Sequence, residues 1–239
     1  SLEVIHTIDG LKHEIEKLRV HRTRLQNLIL KKELNNTSKI DEVINKLENI
    51  RELEDLKPSI ALEKYITMSL NIINDAKDIK ANSKVGDDNE FIFTAPANQP
   101  DIECYYESFN SICEVTMLTG RDQWHNEGQP VMRHFRDFEN NSERDNNYCL
   151  FVAPQIHRDT INTYWMSVKY EYEGSKQKIV PFTIEQIIGI LKTIRAIKIS
   201  NQVFSHLQFQ QLLDSIIGLT NGSRHSDDWL RQIPERIEN

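Results

Sequence analysis

PDIECYYESFNSICEVT, residues Pro100–Thr116, is the stretch that decides the fold. Ile102–Tyr106 and Ser111–Leu118 are β-like runs, and Phe109-Asn110 falls in the tight turn that joins them as a hairpin. Asp101 opens the first strand, and Glu114 lies within the second, after twelve intervening residues. A hairpin can return the second strand to the level of the first and bring the two carboxylates together. Acids in that position raise one another's pKa unless a cation neutralises them. Hard oxygen ligands suit Mg²⁺ or Mn²⁺, and such an ion can activate a water and offset charge building on a phosphodiester. Glu114 has apolar neighbours in Ile112, Cys113 and Val115, where an acid is costly unless paired or ligating. The blander alternative sets Glu114 on the exposed face of an edge strand and Asp101 in a turn after Pro100.

Around the hairpin the elements alternate. Upstream, Glu90–Ala95 is a third β-like run, preceded by the turn signal Lys84–Asn89. Downstream, Gly120 and Pro130 bracket a loop, and a helix runs from about Pro130 to Glu139 with proline in its first turn, where the missing N–H is harmless. Asn147–Ala153 (NYCLFVA) is a nearly continuous apolar run, the pattern of a strand buried on both faces. A helix near 159–168, a strand near 178–182 and helices at about 183–197 and 202–217 follow, then a polar tail over 221–239.

Three helices precede the strands. Residues 2–34 carry apolar residues at Ile8, Leu11, Ile15, Leu18, Leu25 and Leu28, close to the helical period. Ser38-Lys39-Ile40-Asp41 resembles a capping box ahead of Val43, Ile44, Leu47 and Ile50. Pro58 restarts the chain into an amphipathic helix over 59–78 that holds Glu63. The order predicts an α/β domain, a mixed β-sheet flanked by helices (58–239), with an N-terminal helical arm over 1–57 that serves as linker or docking element.

Composition bounds the function. The chain has 239 residues, 38% hydrophobic and 27% charged, which is enough for a packed core. No apolar run approaches the ~20 residues of a membrane helix. Cys104, Cys113 and Cys149 stand singly in apolar stretches, so buried reduced thiols in a cytoplasmic protein are expected rather than disulfides or zinc ligands. A net charge of −7 argues against a general nucleic-acid-binding surface. Lys12, Lys17, Arg19, Arg22, Arg24, Lys31 and Lys32 make one face of the first helix basic, but Glu14, Glu16 and Glu33 interrupt it, as in a solvated linker. The opening SLEVIHTIDG lacks a starting Met and a signal-peptide layout, and reads as the interior of a longer protein.

The block ANQPDIECYYESFNSICEVTMLTGRDQWHNEGQPVMRHFRDFE (97–139) resembles the nuclease core of AlwI-family type IIS restriction endonucleases and their nicking relatives. The likeness continues through NNYCLFVAPQIHRDT and KIVPFTIEQ. It implies a PD-(D/E)XK nuclease fold and Mg²⁺-dependent hydrolysis of double-stranded DNA, with Mn²⁺ as substitute and 5′-phosphate ends as product. It implies that Asp101 and Glu114 are metal ligands, that Glu127 is a third acid, and that His134 and Glu63 reach the site. It also implies an upstream DNA-recognition domain, and a second nuclease domain or subunit for cutting the other strand. One departure stands out. The lysine usual two places after the strand acid is Thr116 here, which cannot supply positive charge. Either the metal carries that role alone, or a cation such as Arg121, Arg133 or His134 helps.

The residues also admit plainer roles. Glu127 sits ahead of a helix, where an acid meets the N-terminal dipole favourably. His134 can be a satisfied helix histidine, an isolated Glu63 on an amphipathic helix is ordinarily solvated, and Trp124 and His125 are expected to pack in a loop rather than face DNA. Two rival functions remain: a structure-specific nuclease such as a junction resolvase, and a non-catalytic interaction module on the same fold.

Overall fold

The fold is described from a computed structural model, over residues 8–33, 36–73, 75–82, 84–85, 91–93 and 99–238. Its centre is a five-stranded sheet built from β1 (Asp78–Ala81), β4 (Ile102–Tyr105), β5 (Asn110–Val115), β6 (Asn147–Ala153) and β7 (Ile179–Thr183), in the order β1-β4-β5-β6-β7. β1, β4 and β5 pair antiparallel, whereas β5, β6 and β7 pair parallel, so the sheet is mixed. Every residue of β6 is buried, as its unbroken apolar run predicts. Pro181 is accommodated because β7 is an edge strand, where a missing N–H breaks no central ladder. β2 (Lys84–Val85) pairs with β3 (Phe91–Phe93) in a separate ribbon. The expected turn at 84–89 therefore begins as a strand, and the rest of it, like the ends of the expected 90–95 run, lies outside the described residues.

Helices cover both sides: α2 (Thr37–Glu48), α3 (Pro58–Ile73), α5 (Gln129–Asn141), α6 (Arg158–Lys169), α7 (Ile184–Ile199), α8 (His206–Gly222) and α9 (Ser226–Glu238). α2 buries Ile40, Val43, Ile44 and Leu47 against α3 and α7, and Arg195 and Lys192 of α7 bond Asp41 and Glu48 at 2.9 Å each. Its cap is not the expected Ser38 box. The Asn36 side chain accepts from Ser38 N–H at 3.1 Å, because the chain is already helical at Thr37. A true capping box opens α7, with Thr183 and Gln186 bonding reciprocally.

Three further expectations change. The helix expected over 59–78 ends at Ile73, and Asp78–Ala81 becomes the edge strand β1. The loop expected between Gly120 and Pro130 is helical throughout: α4 (Gly120–Gln123), a π turn (Trp124–Gly128), then α5. Pro130 has no N–H for the carbonyl four residues back and its ring crowds that carbonyl, so a wider turn relieves the conflict. The polar tail is α9, whose Trp229 and Ile233 are fully buried. The Trp229 indole donates to Ile216 O at 2.8 Å. Trp229→Ala should therefore cost ~3–5 kcal/mol, read as a lower urea midpoint with an unchanged slope.

α1 (Ile8–Glu33) meets this packing at α3. Of the apolar residues at the helical period, Ile8, Leu11, Ile15, Leu18 and Leu25 are exposed, Ile8 at 74%, and the Leu28 side chain lies outside the described ones. The first and last residues of the expected 2–34 helix lie outside the described residues. All three cysteines are free and buried, as expected, and burial pushes the Cys104 thiol up to about 12. Among the described residues no helix is long and apolar enough to cross a membrane.

Candidate active site

β4 and β5 pair Ile102 with Cys113 and Glu103 with Ile112, so the register continued by one residue sets Asp101 opposite Glu114 on one face of the sheet. Asp101 is held there by its own side chain, which accepts from Val115 N–H at 2.8 Å. Glu114 is 5% exposed within β5, next to the parallel strand β6. The edge-strand alternative is thereby excluded, since β5 has β4 on one side and β6 on the other.

α5 reaches over this strand and supplies His134, whose Nδ1 lies 2.9 Å from Glu114 Oε1. That hydrogen bond, followed by the charge of Glu114, holds the imidazole above its ordinary pKa against the effect of burial. Glu127 comes from the π turn. Burial pushes its carboxyl up to about 7, and Glu114 adds to the rise while a Thr116 hydrogen bond and His134 oppose it. Glu63 is 3% exposed on α3, so the expectation that such a glutamate is solvated fails: α3 packs on β1 and β5, and its Glu63 faces the core. Asp101 joins the group electrostatically. Its carboxyl is raised well above the usual range by burial first, then by Glu114, Glu63 and Glu127. Each of the five expected residues therefore lies within electrostatic reach of at least one other near the end of β5.

Thr116, where the wider superfamily has lysine, is buried and does two things. Its hydroxyl accepts from Leu118 N–H at 3.1 Å and bonds the Glu127 carboxylate. Of the three candidate cations, Arg121 and Arg133 are exposed, and only His134 touches a site acid. Trp124 and His125, expected to pack, are instead exposed, Trp124 at 39%, although the Trp124 indole donates to Thr163 Oγ1 at 3.2 Å. Sequence reading missed Gln123, fully buried, whose amide donates to Leu118 O and Gln155 O at 2.9 and 2.7 Å and accepts from His157 N–H at 2.8 Å. A glutamine three residues after a glycine carries no signal of such a role. Gln123→Ala leaves three main-chain groups without this partner and should destabilise by about 1–3 kcal/mol, read by urea unfolding. A cleft of about 610 Å³ lies beside the cluster, lined by Pro100, Glu103, Tyr105, His134, Phe138 and Arg144 among others.

The donor set is all hard oxygen apart from one imidazole. Among the described residues no three His, Cys, Asp or Glu side chains are arranged to hold one metal ion. Mg²⁺ does not require three, because it keeps several waters and binds through one or two carboxylates. Buried Glu114 and half-buried Asp101, set opposite each other, fit that demand.

A mixed sheet flanked by helices, with buried acids gathered at one strand end, defines a fold of the restriction-endonuclease class. A solved structure with this fold is the small subunit R.BspD6I2 of the heterodimeric restriction endonuclease R.BspD6I. It superposes with a TM-score of 0.68 at 18% identity, over 82% of this chain and 98% of that one, a likeness that establishes the fold. The chain belongs to the AlwI restriction endonuclease family, whose sequence profile matches residues 4–190. Comparison with curated proteins finds no match. Family and fold together support a DNA endonuclease function.

Proposed function

We propose that this chain is the Mg²⁺-dependent nuclease part of a type IIS restriction or nicking enzyme and hydrolyses phosphodiester bonds of double-stranded DNA. The observation that carries the reading is the placement of Asp101 opposite Glu114, both turned to one face and held by β4 and β5. Asp101 and Glu114, with Glu127 as third acid, would hold Mg²⁺, with Mn²⁺ as substitute. The ion would supply a stronger nucleophile from water and offset charge on the phosphodiester.

The chain's own groups prepare that site. Val115 N–H aims the Asp101 carboxylate, and the Thr116 hydroxyl aims that of Glu127. His134 fixes one oxygen of Glu114 and brings a protonatable group to the acids, where Thr116 brings none. Glu63 closes the buried side and raises the demand for a cation.

One such site cuts one strand. The second strand needs another nuclease domain, from a second copy or a partner subunit. That a neighbour of the same fold is a subunit of a heterodimeric enzyme supports a partner. DNA recognition would come from an upstream domain or from that partner. Of the arm expected over 1–57, α1 would join the nuclease unit to it, with its exposed apolar side chains as the docking element, whereas α2 packs on α3 and α7 as part of that unit. The buried thiols suit a cytoplasmic setting.

The test is conversion of supercoiled plasmid by the full protein. Cleavage should need Mg²⁺, stop with EDTA and disappear in Asp101→Asn. A junction resolvase would instead prefer branched over linear DNA, and an interaction module would cut neither. Cleavage by Asp101→Asn at the parental rate would refute the assignment.

A further inference from the structure

Glu127 sits in the least regular part of the helix that follows β5, yet its carboxylate must be held within reach of Glu114. The surroundings of the π turn show how. The Tyr164 hydroxyl, from α6, donates to the main-chain carbonyl of Glu127 at 2.9 Å. The next residue, Gly128, is buried where a Cβ would meet Trp124 Cδ1 at 3.1 Å and Thr163 Cγ2 at 3.9 Å. Trp124 is itself tied to α6 through Thr163, whose hydroxyl donates on to Asp159 O at 2.8 Å. The turn is thus clasped to α6 on both sides of Glu127. Tyr164 is fully buried, and its ring meets Phe151 edge-on at 5.2 Å between centroids. Phe151 is the β6 partner of Glu114. One aromatic side chain therefore touches the main chain of Glu127 and the strand neighbour of Glu114.

We propose that Tyr164, together with the Gly128–Trp124 contact, sets the distance between Glu127 and the Asp101–Glu114 pair and so acts as a positioning residue for divalent-cation binding. The inference rests on the reading of Glu127 as a member of the cation site. It assigns to α6, which contributes no acid to the cluster, a share in building it. Groups that orient ligands typically change metal affinity by about 10- to 100-fold when removed, whereas a purely structural hydroxyl changes stability alone.

The test measures Mn²⁺ binding to the full chain by calorimetry, with no DNA present, for the parent, Tyr164→Phe, Gly128→Ala and Glu127→Gln. Cleavage rate is measured in parallel against Mg²⁺ concentration. Tyr164→Phe keeps the ring on Phe151 and removes only the hydroxyl. It should weaken Mn²⁺ about tenfold and raise the Mg²⁺ needed for half-maximal cleavage by a similar factor, with most of the rate regained at saturating Mg²⁺. Gly128→Ala, which displaces the indole, should shift both in the same direction. Weakened binding in Glu127→Gln alongside parental binding in Tyr164→Phe and Gly128→Ala overturns the positioning role and leaves the site intact. Parental binding in Glu127→Gln overturns the positioning role and the ligand role of Glu127 together.

Discussion

Glu114→Gln should lower DNA cleavage by about 10³-fold or more, the scale expected when a preorganised charged group at the reacting centre is lost. The substitution is nearly isosteric, so the cavity at the end of β5 stays filled and Nδ1 of His134 keeps a partner within 2.9 Å. What disappears is one negative charge. Asp101, raised by burial and next by Glu114, then returns toward its ordinary range. The metal-free variant should accordingly be about as stable as the parent, because relief of the repulsion with Asp101 offsets the weaker bond to His134. Lost activity with retained stability separates a functional acid from a structural one. A variant that is inactive because it is unfolded would show a lower melting temperature, and the account does not expect that.

The second large effect is stabilisation by divalent cations, with a defined pH dependence. Glu127 is pushed to about 7 by burial first, with Glu114 adding to it, from an ordinary 4.5. Asp101 is shifted in the same direction. Between pH 4.5 and 7 the folded chain keeps protons that the unfolded chain has released. Without metal, Glu127 therefore contributes a fall in stability as pH rises through that window. A bound cation takes over the work of those protons. Mg²⁺ at about 100 times its Kd should add about 2.7 kcal/mol, or roughly 5–10 °C in melting temperature for a chain of this size. The gain should be larger at pH 8 than at pH 5.5. Glu127→Gln should flatten the metal-free decline and shrink the Mg²⁺ effect.

How much of this could be read from the sequence follows from the physics of each element. The facing of Asp101 and Glu114 was legible because a hairpin has a period of two and a short turn, so few registers fit Pro100–Thr116. β6 was legible because seven residues without a polar alternation suit only a strand covered on both faces. The family likeness supplied the expectation that Glu127, His134 and Glu63 reach the site, which spacing alone could not.

Other features were hidden by equally definite causes. Asp78–Ala81 is short and half exposed, so its pattern merges with the end of α3. The stretch 120–130 holds a glycine and a proline, ordinarily breakers, but Gly120 lies at φ +62° where the helix starts, and Pro130 sits in the first turn of α5. α9 is mostly polar, and its burial rests on Trp229 and Ile233, one turn apart. α1 shows the reverse case. Its periodicity predicted a helix correctly, yet periodicity is silent on what covers the apolar side, and here α1 stays largely outside the packed core. Arg195 and Lys192, which tie α2 to α7, connect residues far apart in sequence, a kind of contact no local pattern discloses.

In the proposed site Asp101 and Glu114 share one divalent cation. Anomalous diffraction from crystals of the full chain soaked in Mn²⁺ reads this directly. The account predicts a single strong peak between the two carboxylates at the end of β5, lost in Glu114→Gln crystals. A Mn²⁺ peak elsewhere, or an equally strong peak in the variant, would contradict it.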